Sequence, residues 1–362
     1  MIRVAVVGCG KIAETSHLPV LKKLERRGIL ELVAVVDVNE RAAKRAAKRF
    51  QVPSYYTNPE EVAKKYDIDA VHICTPSTTH AELSLLFARA GKHVLVEKPM
   101  CHTYDEALAI KDTVKESGVV FSVVQNFRFI DCVKRAKRTI VDGRLGRLLS
   151  IEGALHRFFP IRWSRSLWVY QPGGVIHDIG PHLIDTVLWL KGVKRPDDIR
   201  GVRATGGDML GHAGFVNHVN AFVEFTDNSV AFLSLSWISG AEEFTLKICG
   251  TGGTLLIDLT YNNCVEERGS PLVFDLYRRY YEGMKASLRE FLRFHTLSAL
   301  LTWPGIAQAL TVYLELITQF IRAINGEGRP PVTLQEALAT MLVIDRMLKQ
   351  TITFRGHRES RL

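Results

Sequence analysis

The chain has 362 residues, of which 47% are hydrophobic, and its 47 Lys and Arg against 38 Asp and Glu give a formal net charge of +9. This length and hydrophobic content predict a globular protein with two domains rather than one. The basic residues are scattered, without a helix-turn-helix, zinc-finger or aromatic RNA-binding signature, which argues against a nucleic-acid partner, and six cysteines without C-x-x-C spacing argue against a metal centre and a disulfide framework.

The first third of the chain alternates short strands with helices. It opens directly into a strand, without the charged and apolar segments of a secretion signal, and we therefore expect a cytoplasmic protein. The sequence predicts strands over 2–7, 32–36, 70–74, 94–96 and 119–124, and helices over 39–50, from 59 onward, over 80–90 and over 103–117. Repeated β-α units of this length predict a parallel sheet with helices on both faces, and we assign residues 1–124 to a Rossmann-type domain.

After about residue 125 strands follow one another without intervening helices. We expect strands over 148–154, 215–225, 230–237, 244–249 and 254–258, and helices over 181–190, 307–324 and 334–349. Turns at 227–228 and 250–253 favour an open, mainly antiparallel sheet. Residues 125–354 are therefore predicted to form an α+β domain for substrate binding and oligomerisation, followed by a polar tail at 355–362. Apolar residues on both sides of this sheet, within 219–235, make its outer face a natural surface for a homodimer or homotetramer.

The segment Thr296–Leu314 carries no charged residue and is long enough for a membrane span. Pro304-Gly305 interrupts it. We interpret the segment as two amphipathic helices that meet at residues 303–304 and pack on the protein or on a partner subunit. Contact with a membrane surface, or a true span, is the alternative.

The first predicted strand ends in the loop Gly8-Cys9-Gly10-Lys11-Ile12-Ala13. In such a loop the first glycine permits the tight turn from strand to helix, the second leaves room for a pyrophosphate, and the alanine lets the helix pack close to the sheet. The helix N-terminus then offers free N–H groups to phosphate. Because the loop lies between a strand and a helical pattern, it predicts a dinucleotide site that uses Gly8, Gly10, Lys11, Ile12 and Ala13. A purely structural glycine turn is the alternative.

Asp37 follows the second predicted strand. A carboxylate at this position accepts hydrogen bonds from both ribose hydroxyls and repels a 2′-phosphate, which favours NAD over NADP as the cofactor. Arg41 nearby would soften that preference. A helix N-cap is the alternative role for Asp37.

Lys98 follows the apolar run Val94-Leu95-Val96, at the edge where open α/β sheets bind ligands. Downstream, Asp178 and His182 lie four residues apart, on one face of a helix whose first turn or slight kink holds Pro181. Oxidation of an alcohol needs a base with a pKa near the working pH, which histidine offers, and a cation beside the developing alkoxide. We therefore predict Lys98, Asp178 and His182 as catalytic residues. The alternative makes Asp178 a helix cap and His182 a core residue.

Four longer motifs carry a resemblance to a known family. They are GCGKIA at 8–13, CTPSTTH at 74–80, GKHVLVEKPM at 91–100 and GGVIHDIGPHLID at 173–185. With them the chain resembles the glucose–fructose oxidoreductase and inositol dehydrogenase (Gfo/Idh/MocA) family. The motifs are spread over residues 1–190, with weaker matches at 250–253 and 330–332.

The resemblance implies an NAD(P)-dependent oxidoreductase that transfers hydride between the nicotinamide and a secondary alcohol or ketone of a sugar, nucleotide sugar or cyclitol. It implies that Lys98 hydrogen-bonds the reacting hydroxyl and the cofactor ribose, that His182 is the general base, and that Asp178 orients substrate and base. By the same resemblance the cofactor also contacts Thr75, Pro76, His80 and Glu97. One alternative is an NAD-assisted glycoside hydrolase without net oxidation. Another is a non-catalytic NAD-binding module at a membrane surface.

Further residues are candidates for contact with the substrate. They are Asn126, Arg128, Arg157, Arg162, Arg165 and His177. Arginines in a loop over the crevice would bind a phosphate or carboxylate, which would make the sugar-like substrate an anionic one. A solvated basic loop is the alternative. Asp185 is expected to support the site or to be solvated, and no metal is predicted.

Overall fold

The structure, a computed structural model, describes residues 1–65, 67–158, 173–211, 215–268, 281, 284–285 and 304–356, and of 304–309 and 352–356 it describes the backbone only. The chain forms two compact units. The first unit takes residues 1–126 and 303–341, and the second takes 127–302 and 342–362. The first boundary, after residue 126, lies two residues beyond the predicted boundary after residue 124. The sequence predicts two domains that follow one another along the chain, whereas in the structure residues 303–341 return to the first unit.

The first unit is built on a six-stranded sheet in the order β3-β2-β1-β4-β5-β6, with every pairing parallel. The strands are β1 Ile2–Val7, β2 Leu30–Val36, β3 Ser54–Tyr56, β4 Ala70–Ile73, β5 His93–Val96 and β6 Phe121–Val123. Its helices before residue 126 are α1 Leu18–Glu25, α2 Glu40–Phe50, α3 Pro59–Ala63, α4 His80–Arg89 and α5 Tyr104–Ser117. The predicted parallel Rossmann sheet is confirmed.

Local signals in the sequence set the ends of these helices. The side chain of Asn39 accepts the N–H groups of Arg41 and Ala42 at the start of α2. Thr103 and Glu106 form a capping box at the start of α5. The helix after β1 differs from the expected regular helix, because Ala13–His17 forms a π-helical turn before α1.

The helix α9, Pro304–Ile324, groups with the first unit. It presents the side chains of Leu316, Ile317 and Phe320, all fully buried, to that unit, where it packs against α1. Burial of this apolar face explains why a segment so distant in sequence folds onto the N-terminal unit. Of the segment Thr296–Leu314, residues 296–303 lie outside the described residues. None of the described helices is long and apolar enough to cross a membrane.

The second unit is built on a seven-stranded sheet in the order β13-β12-β11-β7-β10-β9-β8. The strands are β7 Leu148–His156, β8 Ile199–Gly207, β9 His218–Phe225, β10 Val230–Ser236, β11 Glu243–Gly250, β12 Gly253–Asp258 and β13 Asn263–Glu267. The β7–β10 pairing is parallel and the others are antiparallel. The prediction of a mainly antiparallel sheet is confirmed. The strands β8 and β13 were not predicted, since β8 is rich in glycine at its ends and β13 is short and polar.

Helices cover one face of this sheet. They are α6 Asp131–Val141, α7 Gly174–Asp178 and α8 Gly180–Lys191. The last helix is α10 Leu334–Gly356; its residues 334–341 group with the first unit and 342–356 with the second. Most of the apolar residues within 219–235 point to the covered face, whereas Phe232 is 47% exposed on the other face and packs on Phe222. The predicted apolar character of the outer face therefore rests on fewer residues than the sequence indicates.

Candidate active site

The loops after β1, β4 and β5 meet at the carboxyl edge of the first sheet. The N–H of Cys74 donates to Val7 O at 2.7 Å, and the N–H of Glu97 donates to Ile73 O at 2.9 Å. These bonds continue the parallel ladder past the ends of the strands. The glycine loop, Thr75-Pro76 and Glu97-Lys98, predicted separately from the sequence, therefore lie side by side in the first unit.

Gly8 and Gly10 have different reasons to be glycine. Gly8 has φ +94°, and a Cβ there would lie 2.7 Å from the carbonyl carbon and oxygen of Cys74. No other residue fits this turn without displacing the backbone of the neighbouring loop. A Cβ at Gly10 would meet nothing within 4 Å. The space in front of Gly10 fits a pyrophosphate that approaches the backbone, as the sequence predicts.

Asp37 follows β2 and lies against the glycine loop. Its Oδ2 accepts the N–H of Cys9 at 2.8 Å, and its Oδ1 accepts the N–H of Asn39 at 2.8 Å. The N-cap of α2 is Asn39, so Asp37 does not have the alternative role of a helix N-cap. The carboxylate is thus held in one orientation beside the loop, and its remaining lone pairs suit ribose hydroxyls.

His80 joins two of the loops at this edge. Its Nδ1 lies 2.7 Å from Pro99 O, its Nε2 lies 3.0 Å from Thr75 O, and the residue is 1% exposed. Burial lowers the pKa of His80, against the opposing effect of its hydrogen bonds to the two backbone carbonyls. His80 therefore ties the Thr75-Pro76 loop to the Lys98-Pro99 loop from behind. This geometry assigns it to shaping the cofactor side of the site rather than to lining the nicotinamide.

Glu97 is 6% exposed and lies within a cluster of buried polar side chains. Its Oε1 is 2.9 Å from Nε2 of His17 and accepts the hydroxyl of Tyr313 at 2.9 Å. Burial alone would raise the pKa of Glu97, but the hydrogen bond and Coulombic interaction with His17, the hydrogen bond from Tyr313 and the charge of Lys98 hold it below its ordinary value. The position of Glu97, predicted to contact the cofactor, is that of a buried support for the loop that carries Lys98.

Lys98 is half-buried at this edge, and the Lys98–Pro99 peptide bond is cis. Its backbone N–H donates to Oε2 of Glu97 at 3.2 Å. The predicted catalytic lysine therefore lies just after strand β5, and its backbone N–H is held by a buried carboxylate.

In the second unit, the Gly173-Gly174 turn leads into the predicted Asp178 and His182. Gly174 has φ +42°, and a Cβ there would collide with Val216 O, so this position requires glycine. The prediction of one helix across Asp178 and His182 is wrong. Asp178 is the last residue of α7 and His182 lies in the first turn of α8. Pro181, which has no N–H, lies in that same first turn.

The imidazole of His182 stacks on the ring of Phe127. The two ring centroids are 4.1 Å apart and the planes differ by 14°. Phe127 in turn contacts Phe244, with centroids 4.9 Å apart. This stack sets the orientation of the predicted base within the second unit.

Arg128 and Asp185 form a buried ion pair in the same region. Nε of Arg128 donates to Oδ2 of Asp185 and Nη2 donates to Oδ1, both at 2.7 Å. The side chains are 4% and 2% exposed. Arg128 was a candidate substrate ligand, but its guanidinium is buried against Asp185, so its role is to fasten the Asn126–Phe129 turn to α8. Asp185 is a supporting residue, one of the two roles expected for it.

The other candidate substrate residues differ in their settings. Arg157 is exposed and follows β7, where its N–H donates to Ser236 O at 2.8 Å. Asn126 is half-buried at the end of the first unit. The ring of His177 packs over Gly173, where a Cβ would collide with it. Arg162 and Arg165 lie outside the described residues.

Sequence reasoning missed His17, His72, Phe127 and Tyr313. Tyr313 lies 216 residues from Glu97 in the sequence, and no local pattern signals such a contact. For Phe127 a signal exists, since it lies between the two candidates Asn126 and Arg128.

Comparisons with known proteins find two family models that match this chain. Residues 2–125 match the family model of the oxidoreductase family with NAD-binding Rossmann fold, and residues 133–256 match that of the GFO/IDH/MocA C-terminal domain. The chain is 33% identical over 163 residues to levoglucosan dehydrogenase of Pseudarthrobacter phenanthrenivorans, which covers 44% of this chain and 42% of that protein. It is 25% identical over 296 residues to scyllo-inositol 2-dehydrogenase (NAD(+)) of Bacillus subtilis, which covers 80% and 85%.

The WlbA dehydrogenase of Bordetella pertussis, solved with NADH and UDP-GlcNAcA, has a similar structure, with a TM-score of 0.78, 19% identity and coverage of 98% and 96%. At this identity the likeness shows the fold alone. The chain spans about half the length of several curated relatives it matches, so their activities describe those proteins. The two family models together match more than half of the chain and confirm the resemblance carried by the motifs. The chain belongs to the GFO/IDH/MocA family of oxidoreductases, and its N-terminal part is the NAD-binding Rossmann domain of that family.

Proposed function

We propose that this protein is an NAD-dependent oxidoreductase that acts on a secondary alcohol, or the corresponding ketone, of a sugar, nucleotide sugar or cyclitol. One observation carries the proposal. An amine, Lys98, follows strand β5 of a parallel Rossmann sheet, at the same carboxyl edge as a glycine loop with open space before Gly10 and a carboxylate at Asp37. An amine at that edge of a dinucleotide-binding sheet suits the stabilisation of an alkoxide.

The roles of the catalytic residues are part of the proposal. Bound NAD supplies a nicotinamide ring that accepts a hydride from the carbinol carbon. Lys98 donates a hydrogen bond to the substrate oxygen and stabilises its developing negative charge. His182 accepts the hydroxyl proton, and Asp178 orients the substrate and the base. The Phe127 stack supports this role of His182, because a general base needs a fixed ring orientation.

The preference for NAD over NADP rests on Asp37. Its carboxylate is held by the N–H groups of Cys9 and Asn39, beside the loop where the cofactor ribose is expected. A 2′-phosphate placed there would lie against a fixed negative charge and would be repelled. NAD is therefore the proposed cofactor.

The substrate class is inferred from the relatives. Levoglucosan dehydrogenase, D-glucoside 3-dehydrogenase and scyllo-inositol 2-dehydrogenase are all named for ring alcohols of sugars or cyclitols. We therefore propose a polyhydroxylated ring as the substrate. Because Arg157 could bind an anionic group on that ring, the screen includes charged nucleotide sugars.

The experiment is a screen of the purified protein with NAD, and in parallel with NADP, against free aldoses, alkyl glucosides, nucleotide sugars and cyclitols. NADH that accumulates with at least one of them, and faster than NADPH, is the expected result. Cleavage of a glycoside without accumulation of NADH would identify a redox-assisted hydrolase instead. NAD binding without turnover of any compound, together with flotation on liposomes, would identify a binding module. A cytoplasmic location and a homo-oligomer stay predictions from the sequence.

A further inference from the structure

A cluster of four buried side chains lies beneath the loop that carries Lys98, entirely within the first unit. It consists of His72 on β4, His17 in the π-helical turn, Glu97 after β5 and Tyr313 on α9. Their exposures are 0%, 0%, 6% and 4%. Such a concentration of polar groups in a core costs free energy unless the hydrogen bonds are satisfied, so its retention calls for a reason.

The hydrogen bonds of the cluster converge on Glu97. His17 Nε2 and the hydroxyl of Tyr313 both lie 2.9 Å from the same oxygen, Oε1. The other ring nitrogen of His17, Nδ1, lies 3.1 Å from Nδ1 of His72. The hydroxyl of Tyr313 donates to the carboxylate, and the ring of His17 bridges Glu97 and His72.

The cluster ends at His72. Among the described residues no hydrogen-bond partner reaches Nε2 of His72, and the ring of Phe320 packs edge-on against it at 5.9 Å. Within the described residues this chain of hydrogen bonds thus stops at an aromatic ring. The hydrogen bonds at its other end hold Glu97 in place.

With Oε1 of Glu97 held by two donors, Oε2 is the oxygen that accepts the backbone N–H of Lys98 at 3.2 Å. We propose that Tyr313 is a positioning residue for Lys98, acting through Glu97. It contributes a hydroxyl from the C-terminal helix α9 to fix the carboxylate on which the backbone of Lys98 rests. The inference deepens the proposed function, and rests on it for the statement that Lys98 is catalytic.

The first test measures amide hydrogen exchange at Lys98, resolved by NMR, in the full chain without any ligand. Tyr313→Phe removes one oxygen atom and keeps the ring. It is expected to accelerate exchange at Lys98 about tenfold, the scale of a hydrogen bond to a charged group, and to leave Val71 in β4 unchanged. The matched control is Ile317→Val, which removes one buried carbon atom one turn further along α9 and has no polar contact with Glu97.

The inference requires that Ile317→Val leave exchange at Lys98 as in the wild type. Equal acceleration in both variants would mean that Tyr313 only stabilises the helix, and no acceleration in Tyr313→Phe would mean that Glu97 does not need the hydroxyl. Either result overturns the inference.

The second test uses the alcohol found by the screen, with NAD. Tyr313→Phe is expected to lower kcat about tenfold with an unchanged KM for NAD, whereas Ile317→Val keeps the wild-type kcat. A rise in KM for NAD with unchanged kcat would contradict the inference. If the wild type oxidises no alcohol, the proposed function fails, and the exchange result still decides whether Tyr313 positions Lys98.

Discussion

The ring of Phe127 lies parallel to the imidazole of His182, with 4.1 Å between the centroids and 14° between the planes. Phe127 belongs to a short turn that Arg128, the next residue, fastens to α8 through Asp185. The same helix carries His182 in its first turn. The stack and the ion pair thus act together to hold the predicted base on a rigid element.

Loss of the stack is expected to slow turnover more than it weakens binding. Phe127→Leu keeps an apolar side chain but removes the aromatic face, and such pairs contribute about 0.5–1.5 kcal/mol. We expect kcat to fall by about 3- to 10-fold with little change in KM. The control is Phe244→Leu, which alters the ring that contacts Phe127 from another side and leaves the stack on His182 in place. Equal losses of kcat in the two variants would show that the stack has no special role.

An added methyl group is expected to lower stability at Gly8 and to lower the affinity for NAD at Gly10. Gly8→Ala places a Cβ against the backbone of Cys74 at a φ of +94° and should lower stability by about 1–3 kcal/mol. Gly10→Ala meets open space in the protein, so its stability should stay within about 0.5 kcal/mol of the wild type. Its affinity for NAD should nevertheless fall at least tenfold, as measured by calorimetric titration. Wild-type NAD affinity in Gly10→Ala would show that the pyrophosphate does not bind next to Gly10.

The Arg128–Asp185 pair should behave as a buried ion pair in a double-mutant cycle. Removal of one partner leaves an unpaired buried charge, so Arg128→Met and Asp185→Leu should each lower the free energy of unfolding by about 3–5 kcal/mol. The double variant should lose clearly less than the sum, because both charges are gone. Urea unfolding checks this. Additive losses would show that the two side chains stabilise the turn independently.

His72 should make the fold sensitive to acid. Burial, together with the neighbouring His17, lowers the pKa of His72 well below its ordinary value. The unfolded chain therefore binds a proton below about pH 6.5 that the folded chain does not, and stability present above this pH is lost as the pH falls. His72→Leu should flatten this fall between about pH 6.5 and pH 5 by at most one proton, about 1.4 kcal/mol per pH unit.

Four other histidines with lowered pKa values keep their contributions in that variant: His80, His93, His102 and His218. His218→Gln, in the second unit, serves as the control and should change the slope less because this side chain is partly exposed. An unchanged slope in His72→Leu would mean that His72 is protonated in the folded protein.

The sequence predicts the parts of this protein that depend on neighbours in the chain. The turn at Gly8, the cap at Asn39 and the capping box of Thr103 and Glu106 are local, and they suffice to place the parallel β-α units. Local sequence patterns do not predict contacts between residues that are far apart in the sequence. The hydroxyl of Tyr313 on Glu97 is the main case, and the return of α9 to the first unit is its cause.

The candidate site divides in the same way. The position of Lys98 after β5 follows from strand order alone, because all parallel strands of the sheet end at one edge. The break between Asp178 and His182 does not follow from i, i+4 spacing, since the chain leaves α7 at Ile179 and starts α8 before Pro181. The pairing of Arg128 with Asp185 could not be predicted from the sequence either, because an arginine after a strand can bind a substrate as well as a carboxylate of the protein.

The central claim is that Lys98 serves hydride transfer from an alcohol to NAD. The most direct measurement compares NADH formation by the wild type, Lys98→Met and Lys115→Met with saturating NAD and the best alcohol from the screen; Lys115 is an exposed lysine on α5 and controls for the loss of one charge. We expect the wild type and Lys115→Met to form NADH at the same rate, and Lys98→Met to lose about 10²- to 10³-fold in kcat while it still binds NAD. Near-wild-type turnover in Lys98→Met would contradict the account.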